Sequence, residues 1–211
     1  MPRTLRLYGY PISHYCVAVD RMAAFKGLRV RSVYVPYHDK RALLRATGQD
    51  FVPALVDGRK VVTWRKIPDY LERLEPEPTL FPPGKAGLAR TLEDWGHQVL
   101  EERVWRSVVT RVPATFTDDV ERWVFEELQT RSRGPFADLR AREPEFRTER
   151  DTYLALVESM LDGHPWLLDE PSVADFGVFG ALAPLAEVGE PIPARFPNLR
   201  RWSEGIRRLR A

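Results

Sequence analysis

Four prolines in a short segment divide the chain into two parts with different sequence patterns. They are Pro76, Pro78, Pro82 and Pro83, and Gly84 follows them. A Pro-rich segment is semi-rigid and cannot continue a helix, so this cluster predicts a linker between domains over residues 76–85. Strand patterns occur only before it, over residues 1–75, and residues 86–211 carry helical patterns alone.

The first part alternates between strand and helix patterns. Residues 4–9 alternate like a short strand, and apolar residues recur at helical spacing from Ser13 to Lys26. A second strand pattern covers residues 30–35, which completes a βαβ unit with two parallel strands. A short helix over residues 40–46 follows.

A hairpin and a helix complete the first part. The run that starts at Val52-Pro53 predicts a strand, Asp57-Gly58 a turn, and residues 60–62 the second strand of a hairpin. The next helix is expected over residues 64–74, with Pro68 in its first turn. The order βαβαββα predicts a thioredoxin-like domain with a four-stranded mixed sheet.

The second part predicts an all-α helical bundle. Helices are expected over residues 88–109, 118–131, 146–161 and 197–209. Another begins at Ser172, where Asp175 can reach back to the backbone N–H of residue 172 as in a capping box. The residues after Asp175 are apolar nearly all round, so this helix should be the central one of its domain.

Charge and cysteine content limit the functional classes. The 32 basic and 30 acidic side chains nearly cancel, so we expect no nucleic-acid partner and no anionic membrane surface. No signal core and no run of about 20 apolar residues are visible, so no membrane span is expected. Cys16 is the one cysteine, which excludes an internal disulfide and favours a reducing, cytoplasmic location. The four histidines show no metal-ligand spacing, so no metal is expected.

The Val52-Pro53 pair is a candidate binding element. An X–Pro bond loses most of its preference for the trans form, and a cis bond here would leave the main chain of Val52 pointing outward. Val52 and Pro53 are therefore expected to offer a docking point for a peptide-like ligand.

Several motifs along the chain together resemble the glutathione transferase family. They are Leu7-Tyr8-Gly9 with Ser13 and Cys16, Lys26-Gly27-Leu28, Thr47-Gly48-Gln49, Val52 to Gly58, Ile67 with Tyr70-Leu71-Glu72, Trp166-Leu167, Pro171 to Phe176, and Phe196 to Leu199 with Trp202. The resemblance implies a thioredoxin-like domain joined to a helical one and a cytoplasmic homodimer. It also implies glutathione as cosubstrate, a small electrophile as second substrate, and a role in detoxification. The inner faces of the long helices would form the electrophile pocket. The family does not specify its lining; Trp95, Glu102, Trp105, Arg106 and Arg111 are candidates from their place on the first of these helices, with a core role as the alternative for the aromatic residues.

The resemblance implies a catalytic group at the start of the first helix. Ser13 lies where several transferase classes carry Ser or Cys, and a hydroxyl at a helix N-terminus stabilises a thiolate. Ser13 is therefore the first catalytic candidate, and an ordinary helix cap is the alternative. Tyr8 is the second candidate, because some classes use a tyrosine near the end of the first strand. Cys16 is the third, with a buried small apolar residue as the alternative.

The chain departs from the family pattern at the next helix start. Family members usually place Glu or Asp followed by Ser there, to bind the γ-glutamyl group, and this chain has Thr63-Trp64. The Thr63 hydroxyl can still bind a carboxylate, aided by Arg65, but Trp64 is large enough to fill part of the pocket. Three hypotheses therefore remain open. The first is a transferase that activates a thiol at Ser13, and the second is a non-catalytic binding or structural protein with a degraded glutathione site. The third is peroxidase or reductase chemistry at Cys16, which burial in the helix disfavours because it raises the pKa of a thiol.

Overall fold

The computed structural model describes residues 4–209, and its first domain follows the expected order βαβαββα. The elements are β1 (Leu5–Gly9), α1 (His14–Phe25), β2 (Val30–Tyr34), α2 (Arg41–Thr47), β3 (Ala54–Asp57), β4 (Lys60–Thr63) and α3 (Ile67–Leu74). Residues Trp64–Lys66 form a 3-10 turn before α3, so that helix begins three residues later than expected, with Pro68 in its first turn. The prediction of a thioredoxin-like domain is confirmed.

The four strands form one mixed sheet in the order β2-β1-β3-β4. Strand β1 runs parallel to β2 and antiparallel to β3, and β3 runs antiparallel to β4. Across the sheet, Ala54 pairs with Tyr8 on one side and with Thr63 on the other. The end of β1, the start of β3 and the end of β4 therefore lie together at one end of the sheet.

The two faces of the sheet pack against different helices. Leu5 and Leu7 of β1 belong to the core that contains α1 and α3. Tyr8 and Val56 belong to a separate cluster with Leu43 of α2. This arrangement follows from the strand period of two, which sends neighbouring side chains to opposite faces.

The second domain is entirely helical, as predicted. Its helices are α4 (Ala86–Trp95), α5 (Glu101–Arg106), α6 (Asp119–Arg133), α7 (Phe136–Ala141), α8 (Glu143–Met160), α9 (Val173–Ala181), α10 (Ala183–Glu187) and α11 (Pro197–Arg207). Helix α7 was not predicted, because it has only six residues and one buried side chain, Leu139, which is too little to show a period. In the described part of the chain, the helices lack the length and apolar character needed to cross a membrane.

The expected long helix over residues 88–109 is interrupted. A π-helical segment, Gly96–Leu100, joins α4 to α5, and a 3-10 segment follows at Val109–Thr115. Gly96 lies against the backbone of α9, where an added Cβ would come within 3.0 Å of Val178 Cα. The π-helical segment thus begins where two helices approach too closely for a side chain.

Helix α9 is the centre of the second domain, as its sequence predicts, and all of its residues are buried. The Asp175 carboxylate accepts hydrogen bonds from the Ser172 backbone and hydroxyl, the Leu167 backbone and the Trp202 indole. Four donors to one buried acid fix the start of α9 to the preceding loop and to α11.

The two domains share one hydrophobic core through α1 and α9. Gly180 of α9 faces the His14 carbonyl oxygen so closely that an added Cβ would lie 2.4 Å from it. Lys26, at the other end of α1, is almost fully buried, and its ammonium donates to the carbonyl oxygens of Pro76 and Pro78 at 3.1 and 2.6 Å. Helix α1 is thus anchored to the helical domain at its start and to the linker at its end.

Candidate functional site

Three segments meet at the end of the sheet where β1 ends and β3 begins. They are the loop from Gly9 to Ser13, the Val52-Pro53 pair, and residues 63–65, and the register through Ala54 brings them together. These segments carry most of the site residues expected from the sequence. This end of the sheet is therefore the candidate functional site.

Ser13 is the N-cap of α1. Its backbone is extended (φ −69°, ψ 114°), and its hydroxyl oxygen accepts a hydrogen bond from the Cys16 N–H at 3.4 Å. Because the oxygen acts as acceptor in the cap, the hydroxyl hydrogen can be donated, either to the Cys16 sulfur or to a ligand. The Ser13 side chain therefore satisfies the helix and can still donate to an anion at the helix N-terminus.

The main chain of Val52 offers a donor and an acceptor beside this helix start. The Val52–Pro53 peptide bond is cis, and Pro53 is buried. Within residues 4–209, neither the N–H nor the C=O of Val52 has a hydrogen-bond partner. Unpaired main-chain groups next to a strand end are suited to pairing with the main chain of a peptide ligand.

Cys16 lies inside the core rather than in the site. Its side chain packs next to Gly9, where an added Cβ would lie 2.1 Å from the Cys16 sulfur. Burial raises the pKa of this thiol to about 12, against a smaller lowering effect of the hydrogen bond to Ser13. The thiol therefore stays protonated near neutral pH, which favours the interpretation of Cys16 as a buried small residue.

Tyr8 lies on the opposite face of the sheet from α1. It is 6% exposed and packs with Val35, Leu43 and Ala54, on the side that α2 covers. The structure thus groups Tyr8 with the α2 core and does not bring it to Ser13. Strand alternation carries Tyr8 to that face, since Leu7 beside it faces α1.

Trp64 and Tyr15 occupy the region where the family pattern places the γ-glutamyl group. Their ring centroids are 4.3 Å apart, and the Arg65 guanidinium lies 4.5 Å from the Trp64 ring. Arg65 also faces Asp94 of α4 at 3.7 Å. Thr63 precedes the 3-10 turn. Its hydroxyl oxygen accepts no capping hydrogen bond from the turn, so the hydroxyl is not used as a cap and can bind a ligand. The Trp64 and Tyr15 rings therefore narrow the candidate site, and the Thr63 hydroxyl and the Arg65 guanidinium lie at its rim.

A contact between the half-buried His14, next to Ser13 in the chain, and the buried His97 is a feature that the sequence did not reveal. His14 Nδ1 lies 3.3 Å from Glu101 Oε1, and the rings of His14 and His97 are 5.1 Å apart. Burial and the neighbouring His14 lower the pKa of His97 to about 3, so His97 is neutral. Gln98 donates to the Tyr15 hydroxyl at 3.0 Å. More than 80 residues separate the two groups in sequence, so no local pattern could have indicated their contact.

The residues expected to form the electrophile pocket are engaged in the helical domain instead. Trp105 is buried and donates to Gln129, Trp95 stacks on Tyr153, and the other three form ion pairs. The pairs are Glu102 with Arg133, Arg106 with Glu149, and Arg111 with Glu190. Each of the five side chains thus has an internal partner, which favours a packing role for the two tryptophans. The described residues contain no group of three or more His, Cys, Asp or Glu side chains that could hold a metal ion.

Comparisons with known proteins agree with this arrangement. The family model described as "Glutathione S-transferase, N-terminal domain" matches residues 7–79, and "Glutathione S-transferase, C-terminal domain" matches residues 125–205. A search of curated protein sequences finds no match.

Solved structures show the same fold at low identity. Glutaredoxin 2 from Salmonella typhimurium in complex with glutathione has a TM-score of 0.76 and 19% identity, covering 97% of this chain and 95% of that one. A glutathione S-transferase from Sinorhizobium meliloti 1021 also has a TM-score of 0.76 and 19% identity, and the match covers 97% of this chain and 88% of that one. The β-etherase LigF from Sphingobium sp. strain SYK-6 has a TM-score of 0.70 and 20% identity, and the match covers 97% of this chain and 95% of that one. With both domain models matched in order over well over half of its length, the chain belongs to the glutathione S-transferase superfamily.

Proposed function

We propose that the protein is a glutathione S-transferase-like enzyme that joins a thiol, glutathione or a related one, to a small electrophile. The observation that carries the proposal is the Ser13 hydroxyl, which caps α1 through its oxygen and can turn its hydrogen from the Cys16 sulfur to a ligand. The bound thiol would lose its proton to solvent, and the Ser13 hydroxyl would donate a hydrogen bond to the resulting thiolate. The sulfur then attacks the electrophilic carbon, a carbon–sulfur bond forms, and the leaving group departs with the bonding electrons.

The energy required of Ser13 is modest. Lowering a thiol pKa from about 9 toward 7 needs about 3 kcal/mol. A hydrogen bond to a charged group contributes about 1.5–3 kcal/mol, and a helix N-terminus adds up to about 1 kcal/mol for a nearby anion. One hydroxyl donor at the start of α1 can therefore supply most of the stabilisation.

The rest of the thiol would bind along the adjacent segments. The main chain of Val52, next to Pro53, has both hydrogen-bonding groups free for a cysteinyl residue. The Thr63 hydroxyl and the Arg65 guanidinium, which also faces Asp94, would bind a carboxylate, and Trp64 would pack on the ligand backbone. The related glutaredoxin 2 structure contains glutathione, which supports a ligand of this class.

Substitutions at Ser13 test the proposal. Turnover of glutathione with 1-chloro-2,4-dinitrobenzene is measured for the wild type and for Ser13→Ala, Ser13→Thr and Ser13→Asp. Ser13→Ala should lower kcat/KM by roughly 10- to 100-fold, because a charge-assisted hydrogen bond is lost. Ser13→Thr keeps the donor and should keep most activity. Ser13→Asp keeps the cap but places a negative charge beside the sulfur, so it should be inactive yet folded.

Thermal unfolding and a control variant separate catalysis from folding. Ser13→Ala should lower stability by only about 1 kcal/mol, the usual effect of losing a cap. Ser132→Ala, on the exposed side of α6, removes a hydroxyl outside the site and should change neither property. Full activity in folded Ser13→Ala protein would exclude Ser13 as the activating group.

A second candidate is a non-catalytic binding or structural protein with the same fold. The contact between Trp64 and Tyr15 favours it, because the pair narrows the region expected for a γ-glutamyl group. Calorimetric titration with glutathione distinguishes the two. Absence of binding at millimolar glutathione would favour the second candidate and would exclude glutathione as the thiol of the first.

We also propose the remaining features that the family suggests. They are a homodimer, a cytoplasmic role in detoxification, and a division into domains 1–75 and 86–211 with a linker at 76–85. The end of α3 at Leu74 and the start of α4 at Ala86 support the division. Light scattering at several protein concentrations would test the dimer.

A further inference from the structure

A cavity of about 350 Å³ lies between the loop after β2 and the start of α6. Its aromatic walls are Tyr10, Tyr34, Tyr37 and Phe116, and we refer to it as the tyrosine cavity. Tyr10 and Tyr37 are stacked at 4.1 Å, and Phe116 meets Tyr37 edge-on at 5.7 Å. This volume is in the range of cavities that bind small molecules, and it accommodates a one-ring compound.

Carboxylates line the same cavity. Glu121 is 4% exposed and accepts hydrogen bonds from the Tyr34 hydroxyl and, at 2.9 Å, from the Tyr37 N–H. Asp118 caps α6 by accepting from the Glu121 N–H at 2.8 Å, and Glu187 lies exposed at the end of α10. Among the described residues that line the cavity, none is Lys or Arg. His38 is the one other ionisable side chain besides the tyrosines.

The chain already places one of its own cations against these rings. The Lys40 ammonium lies 4.5 Å from the Tyr10 ring centroid and 5.9 Å from that of Tyr37. Lys40 is outside the cavity lining, but it shows that the aromatic cluster attracts positive charge. Aromatic faces combined with carboxylates are the combination that binds organic ammonium groups.

A neighbouring cavity adjoins this surface. It measures about 340 Å³, shares Tyr10, Pro11 and Tyr34 with the tyrosine cavity, and includes Asp20. Its lining, within the described chain, also lacks Lys and Arg. Asp20 is paired with the Arg21 guanidinium, so the surface on this side of Tyr34 is mainly apolar and the carboxylates lie on the side of the tyrosine cavity.

We infer that the tyrosine cavity binds small organic cations that carry an aromatic ring, such as quaternary or protonated benzylic amines. The ring would pack beside Tyr34 and Phe116, and the cationic group would face Glu121 and Glu187. This binding depends only on the walls of the cavity and not on thiol chemistry at Ser13.

Calorimetric titration with three compounds of similar size tests the inference. The compounds are benzyltrimethylammonium, benzyl alcohol and phenylacetate, titrated at low ionic strength without any thiol. The cation should bind at least about tenfold more tightly than the anion, with the alcohol between them. Its affinity should fall as salt is added. Equal binding of all three, tighter binding of the anion, or no binding of the cation at millimolar concentration would overturn the inference.

Three variants locate the binding within the cavity. Glu187→Gln should weaken cation binding by about two- to fivefold, because it removes one exposed charge near the ligand. Lys40→Met should strengthen it by a similar factor, since it removes a competing cation from the Tyr10 ring. Glu127→Gln makes the same charge change on α6 outside the cavity lining and should leave the affinity unchanged. A shift for Glu127→Gln equal to that for Glu187→Gln would show nonspecific attraction and contradict the assignment.

Ser13→Ala protein separates this inference from the proposed function. It should bind benzyltrimethylammonium as the wild type does, even when its turnover with glutathione is lost. Loss of turnover with retained cation binding supports both conclusions, and retained turnover without cation binding in the wild type overturns only the cavity assignment.

Discussion

Restoring the family pattern at residues 63 and 64 should raise the affinity for glutathione. The double substitution Thr63→Glu with Trp64→Ser supplies the missing carboxylate and removes the indole that contacts Tyr15 at 4.3 Å. A hydrogen bond between charged groups contributes about 1.5–3 kcal/mol, which corresponds to a roughly 10- to 150-fold lower Kd for glutathione. The aromatic contact that is lost is worth about 0.5–1.5 kcal/mol, so the variant should remain folded.

Calorimetric titration of four proteins with glutathione measures this effect. They are the wild type, Trp64→Ser, the double variant, and Trp123→Ser as control. Trp64→Ser reports the effect of opening the pocket, and the further gain in the double variant reports the effect of the carboxylate. Trp123 is 62% exposed on α6, so its replacement should leave the affinity unchanged. If the double variant binds glutathione no more tightly than Trp64→Ser, a γ-glutamyl amine does not bind at residue 63 and the reasoning fails.

Three further predictions concern the structure around the site. Cys16 in the native protein should resist iodoacetamide at pH 8 and react only in denaturant, because burial raises its pKa to about 12; rapid native labelling, read by mass spectrometry, would contradict this. Gly180→Ala should destabilise the protein by about 1–3 kcal/mol in urea unfolding, while Gly205→Ala, where a Cβ has open space, should not. Burial raises the pKa of Glu93 to about 8, above its usual 4.5, so its contribution to stability is fully present below pH 4.5 and is lost as the pH rises through 8. Urea unfolding between pH 5 and 9 should show a decline of the order of a few kcal/mol, and Glu93→Gln should flatten it.

The parts of the fold that depend on local sequence could be predicted. The Ser172 and Asp175 contact spans three residues, and its effect on the start of α9 follows from capping chemistry alone. The buried position of Cys16 follows from helical spacing in the same way. The alternation of β1 also indicates that Leu7 and Tyr8 face opposite sides, but it does not say which side holds the site.

Contacts between distant segments could not be predicted. Trp64 meets Tyr15 across the end of the sheet, and His14 meets Glu101 across the two domains. Both contacts depend on how elements pack, and neither residue pair has a spacing that marks it in the sequence. The aromatic and acidic walls of the tyrosine cavity come from four separate segments, so no single stretch of the sequence could indicate this cavity.

The close contact between Gly180 and α1 limits which domains of related proteins could be combined with those of this chain in a chimera. A helical half taken from another family member would fit the first half of this chain only if it carries glycine at the matching position, because any larger residue would push against the peptide carbonyl that opens α1. The residue at this one position would therefore decide whether the two halves of a chimera fit together, whatever the differences in their reacting groups.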